Sequence, residues 1–130
     1  MKVSEFFKLY ILDHTSIDEI QYLSSEGLLL IHIQLVNWMQ TFYEDGQLEF
    51  VNGKLVVSGV GSFTVDPLLN TLKFGEHADG EVISYGYVPE RNQLDLEAGE
   101  IIMNWFDYQT RINTVVILGF LAKDVEWLPA

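Results

Sequence analysis

The chain reads as a mostly β domain with a minor helical part: an antiparallel curved sheet, arranged as a sandwich or open barrel built from hairpins. Three observations predict this. Apolar and polar residues alternate with a period of two over several short runs, and turn residues such as Ser-Gly, Asn-Gly and Pro punctuate them. One phrase also occurs twice, "QLVNWMQTF" at 34–42 and "IIMNWFDYQ" at 101–109. Of the 130 residues 48% are apolar, too many for a disordered chain. A chain of this length buries about two-thirds of its unfolded surface without covalent staples, so 1–130 is read as one domain.

Taken in order, "SEFFKLYIL" sets Ser4 ahead of Phe6, Phe7, Leu9 and Tyr10, as the N-cap of a short amphipathic helix would be. It fits a strand equally well. "IDEIQYL", "SSEG" and "LLLIHIQLVNW" predict a hairpin. Its second strand turns Leu29, Ile31, Ile33 and Leu35 to one face and His32 and Gln34 to the other. Within "QLEFVNGKLVVSG", Asn52-Gly53 predicts a type I′ turn and hence a hairpin over 47–59. "GVGSF" at 59–63 is too short for a phosphate cradle and predicts a glycine-softened strand or bulge. "SFTVD" is a short strand stopped by Asp66-Pro67, and "LLNTLKF" carries Leu68, Leu69 and Leu72 at helical spacing. "EVISYGYV", "PERN" and "QLDLE" predict a second hairpin, with Leu94 and Leu96 facing one way and Asp95 and Glu97 the other. "EIIMNWF", "TVVILGFL" and "DVEWL" complete the strands.

The repeated phrase has companions. His14 lies eight residues before Tyr22, and His77 eight before Tyr85. Asn37-Trp38 and Asn104-Trp105 follow, each trailed by a Val-Val pair near a glycine, "VVSG" and "VVILG". A doubled β-meander would produce this pattern; accidental matches between β-rich segments would too.

Charge is the strongest compositional fact. Seven Lys and Arg oppose nineteen Asp and Glu, a formal −12. Residues 1–50 carry −6 and residues 76–107 carry −7, while 51–75 carry +1 and 108–130 balance. This argues against direct nucleic-acid binding through phosphates and favours a basic partner by long-range steering. Solubility alone also explains acidity. With no cysteine, disulfides, thiolate catalysis and cysteine-ligated metal are excluded. The start, "MKVSEFFKLYILDHTS", makes a poor signal peptide because Glu5 and Lys8 interrupt its apolar stretch. No apolar run nears the roughly 18 residues needed to span a bilayer. The expectation is a cytoplasmic protein with no membrane association.

Candidate chemistry is sparse. His14, His32 and His77 lack the spacing that brings ligands to one point, so no metal site is expected. Asp95 and Glu97 on one strand face would stand about 7 Å apart, near a glycosidase separation, as nineteen acids must somewhere. A solvated face that discourages edge aggregation explains the same pair. No Gly-x-Ser-x-Gly, P-loop or Gly-x-Gly-x-x-Gly occurs, so no catalytic residue and no cofactor is assigned. The three Trp and six Tyr either line a ligand cavity or fill the core. Arg91 is expected to make a local salt bridge.

In size, charge, absence of cysteine and the strand–turn–strand cadence of "DHTSIDEIQYLSSEGLLLIHIQLVNW", the chain resembles the small immunity proteins encoded beside bacterial toxins. Those families are mutually dissimilar, so the resemblance assigns no residue. It implies a non-enzymatic acidic inhibitor of a basic partner such as a toxin nuclease. The expected partner-binding patch is Glu90, Asp95, Glu97, Glu100 and Asp107, with Trp105 or Tyr108 as anchor. Two further readings stand behind it, a β-barrel binding small molecules and, third, a carboxylate-based enzyme.

Overall fold

In a computed structural model that describes residues 1–67 and 78–130, the period-two runs become one antiparallel sheet. Its strands are β1 (Ser16–Leu23), β2 (Leu28–Val36), β3 (Phe50–Ser58) and β4 (Ser62–Asp66) in the first half. The second half supplies β5 (Ala78–Tyr87), β6 (Glu97–Asp107), β7 (Ile112–Ala122) and β8 (Asp124–Pro129). The spatial order is β4-β7-β6-β5-β1-β2-β3-β8, which leaves β4 and β8 as edges that do not pair with each other. A short helix α1 (Val3–Leu9) packs against β5, β6 and β8. It is the single α-helix among the described residues, and none there is long and apolar enough to cross a membrane.

The order contains a symmetry. Exchanging β1 with β5, β2 with β6, β3 with β7 and β4 with β8 turns it into its own reverse. The strand order is therefore that of a doubled meander. The repeated phrase marks it imperfectly. Tyr22 lies near the end of β1 as Tyr85 does on β5, but Asn37-Trp38 falls beyond the end of β2 while Asn104-Trp105 lies inside β6. The ends of these strands correspond at shifts of 69 (Leu28 to Glu97) and 71 (Val36 to Asp107), against 67 for the phrase.

Curvature comes from two bends. Gly59-Val60-Gly61 separates β3 from β4, and Lys123 separates β7 from β8. Ser58 pairs with Asp124 before the bend and Ser62 with Leu121 after it, so the β3–β8 and β4–β7 ladders continue one another. The amide of Lys123 donates to Ser58 at 3.2 Å and that of Gly61 to Leu121 at 2.8 Å. Gly59 has φ +61, a left-handed conformation in which a side chain would also meet the Lys123 Cβ at 2.8 Å. "GVGSF" thus acts as the glycine-softened bend its composition predicts, and it curls the sheet around its contents.

Those contents are side chains. Leu29, Ile31, Ile33 and Leu35 of β2 all turn inward, as their alternation predicts. They meet Ile17, Leu55, Val57, Ile101, Met103, Val116 and Leu118 in one core, each at most 2% exposed. Val3 and Phe6 of α1 join it. Burial of about 1.5–3 kcal/mol per such side chain is the main force holding the curl.

Three local expectations are corrected. Asn52-Gly53 is not a turn: both residues lie within β3, opposite Gln34 and Ile33 of β2. Gly53 serves closeness instead, since a Cβ there would stand 2.5 Å from the Leu128 carbonyl oxygen and 2.6 Å from Trp127. The hairpin between β5 and β6 exists, but "QLDLE" is not its returning strand. Gln93 and Leu96 form a small bridge, and Leu94 sits at the tip with φ 51, fully exposed rather than paired with Leu96 on one face. Nor is Ser4 an N-cap. Lys2 occupies that position without a side-chain bond, and Ser4 lies inside the first turn. The expected helical "LLNTLKF" and His77 fall outside the described residues.

Candidate functional site

β6 carries most of the acidic patch expected from the sequence, and its geometry divides the patch. At about 3.3 Å per residue its ends stand roughly 33 Å apart. Glu97, Trp105 and Asp107 share the parity of buried Ile101 and Met103, whereas Glu100 is on the outer face. Most of the expected patch residues also have an internal task. Glu97 accepts from the Ser4 amide at 3.1 Å and from its hydroxyl at 3.0 Å. Glu100 pairs with Arg91 at 3.0 Å, the local salt bridge expected of that arginine. Asp95 lies 3.5 Å from Lys123. Asp107 closes the β6–β7 turn by accepting from the amides of Gln109 (2.8 Å) and Thr110 (3.2 Å). Trp105 is half-buried against the core. The Tyr108 hydroxyl donates to Asp79, a bond that, with burial and the Asp79 charge, raises its pKa. Glu90 is exposed in the 3₁₀ turn Pro89–Arg91. The Asp95–Glu97 pair, expected on one strand face, is thus split between a turn and a strand.

A different surface is free of such tasks. Between β2 and β3 the chain leaves the sheet, and two buried amides hold its excursion. Gln40, 4% exposed, receives the Ile11 amide at 2.9 Å and donates to the carbonyls of Ile11 (2.7 Å) and Val36 (3.0 Å). Asn37 donates from its side chain to Leu48 O at 2.9 Å and from its backbone to Glu49 O at 2.7 Å. So anchored, the segment keeps Trp38 (52%), Phe42 (43%), Leu48 (73%) and Phe50 (50%) in solvent. Phe42 meets Tyr10 edge-on at 5.7 Å, and with Leu48, Val51, Trp127 and Pro129 they line a cleft of about 650 Å³. Glu44, Asp45 and Glu49 lie in the same segment and form no ion pair among the described residues. The sequence contains a signal for this surface: "QTFYEDGQLE" matches neither a helical nor a strand period yet holds large apolar residues.

A third feature is a cleft of about 510 Å³ on the outer face of β1, β2, β3 and β8. Glu19, His32, Lys54 and Leu128 are successive neighbours across these strands. Asp18 enters as the extra residue where the β1 register shifts; burial and the nearby Asp79 raise its pKa, while His32 lowers it. His32 stands 3.3 Å from Gln21 and 3.9 Å from Glu19, and His14 3.4 Å from Glu81. Among the described residues no three His, Asp or Glu are grouped to hold a metal. Comparison with known proteins returns no matching family model, no matching curated protein and no matching solved structure.

Proposed function

We propose that this is a non-enzymatic acidic binding protein of the bacterial immunity type, which occupies a basic partner such as a toxin nuclease in the cytoplasm. One observation carries the reading: a sheet whose inward positions are filled by side chains presents carboxylates most of which form no ion pair among the described residues. Arg91 and Lys123 are already engaged by Glu100 and Asp95, which leaves few cations to neutralise the remaining acids. Such a surface matches the Lys and Arg with which a nuclease holds phosphate, and it blocks them without chemistry of its own. Association is then steered by charge and slowed by salt.

The small-molecule reading ranks second and rests on the cleft beside His32 and Lys54. The deciding experiment pairs the chain with the basic protein encoded by the adjacent gene. A one-to-one complex and loss of that protein's nuclease activity are expected. Undiminished nuclease activity in the presence of excess chain rejects the reading.

A further inference from the structure

We propose that the cleft formed by the 37–51 excursion, lined by Tyr10, Phe42, Leu48 and Trp127, is where the partner docks. Its occupant is a basic segment carrying one aromatic or aliphatic anchor flanked by Lys or Arg. This inference rests on the acidic-binder reading above and assigns it a place.

Three observations converge here. First, the exposed apolar side chains are held out rather than left over. Asn37 and Gln40 spend buried amides on fixing the excursion, yet Phe42 (43%) and Leu48 (73%), which line the cleft, remain exposed. A surface ordered before binding loses little entropy when it is covered. Second, its electrostatics are one-sided. Between Lys8 and Lys54 the chain has seven acids and no Lys or Arg, and three of the acids, Glu44, Asp45 and Glu49, belong to the excursion itself. Third, the cleft is lined mainly by apolar and aromatic side chains, and in protein interfaces a few such residues carry most of the affinity.

Charge selects the occupant. Nucleic acid and anionic lipid surfaces are repelled by a chain of net −12, and a second copy would bring Glu44, Asp45 and Glu49 against their own kind. A basic protein segment gains on both counts: its anchor fills the cleft and its cations meet the acids of the excursion.

The test titrates the full chain with a fluorescent peptide, Lys-Lys-Arg-Trp-Lys-Arg-Lys, and with a control in which Gly replaces Trp. Wild type should bind the Trp peptide about tenfold or more tightly than the control. Phe42→Ala and, separately, Leu48→Ser should each weaken binding of the Trp peptide by about tenfold without shifting the melting temperature of the Leu48 variant. Glu44→Lys with Asp45→Lys should slow association at low salt, with the loss shrinking at high salt; Glu90→Lys, elsewhere on the surface, should do so less. Equal binding of both peptides by wild type, or unchanged binding by both cleft variants, overturns the docking site. Binding of the neighbour-encoded protein is measured in parallel. If that protein binds and the cleft variants bind it equally well, the site falls and the acidic-binder reading survives. If it does not bind while the peptide results hold, the immunity reading falls and the cleft remains.

Discussion

Glu97 of β6 caps helix α1 through Ser4, accepting its backbone amide at 3.1 Å and its hydroxyl at 3.0 Å across 93 residues of sequence. An amide in a helix's first turn has no partner inside the helix, and a carboxylate also suits the positive end of the helix dipole. Burial alone raises the Glu97 pKa, but bonds from Ser4 and Tyr87 and the charge of Lys2 outweigh it, so the net shift is downward. A depressed folded pKa stabilises above the unfolded value and loses that contribution as pH falls through the folded value. The gap in denaturation midpoint between wild type and Glu97→Gln should therefore be largest near neutrality. It should close below the ordinary glutamate range, near pH 4.5. A gap constant with pH rejects the ionic cap. Ser4→Ala should cost about 0.5–1 kcal/mol at neutral pH.

Gly53 separates a strand from a turn. Gly53→Ala would set a Cβ against the Leu128 carbonyl oxygen and the Pro129 Cα, which lies at 2.8 Å. Backbone yields less readily than a flexible side chain, so a loss of about 2–3 kcal/mol in equilibrium unfolding is expected. The control is Gly46→Ala, at φ +95 with nothing within 4 Å of the added Cβ, which should cost only the left-handed strain of about 1 kcal/mol. Equal losses would contradict the close approach of β8.

Gln40 holds the excursion from inside. Gln40→Ala leaves the Ile11 amide and the Ile11 and Val36 carbonyls without their bonds to its side chain, a loss of about 2 kcal/mol. Limited proteolysis should then cut within 41–49 faster than in wild type, since the anchors fail before the sheet does. Cleavage at an unchanged rate would mean that the segment is held by its aromatic contacts alone.

Leu94 is fully exposed and left-handed, φ 51, at the tip of the β5–β6 connection. Exposure wins nothing for an apolar side chain, and the conformation favours glycine or asparagine. Leu94→Gly should leave stability unchanged or raise it by up to about 1 kcal/mol by chemical denaturation, and a clear loss would point to a contact made by the side chain.

The sequence by itself determined the strands, because a half-buried strand must alternate and alternation is local. Leu29, Ile31, Ile33 and Leu35 face inward as their spacing requires, and the β1–β2 hairpin, the bend at Gly59–Gly61 and the short strand ended by Asp66-Pro67 all follow from neighbours in the chain. The doubled meander was half-visible: Tyr22 and Tyr85 keep step with it, whereas the Asn-Trp phrase does not. Only the tertiary structure decided what depends on partners far along the chain. Asn52-Gly53 has turn chemistry, yet pairing with β2 and β8 on both sides outweighs a local preference of about 1 kcal/mol. Ser4 has cap chemistry, but the cap is a carboxylate from β6. The acids of residues 76–107 look like a surface by count, but contacts with distant Ser4 and Lys123 and with nearby Arg91 turn several of them to structural use. The aromatic excursion after β2 emerges for the same reason. Composition sets how many apolar and charged groups a chain has, and only packing determines which of them are left unpartnered.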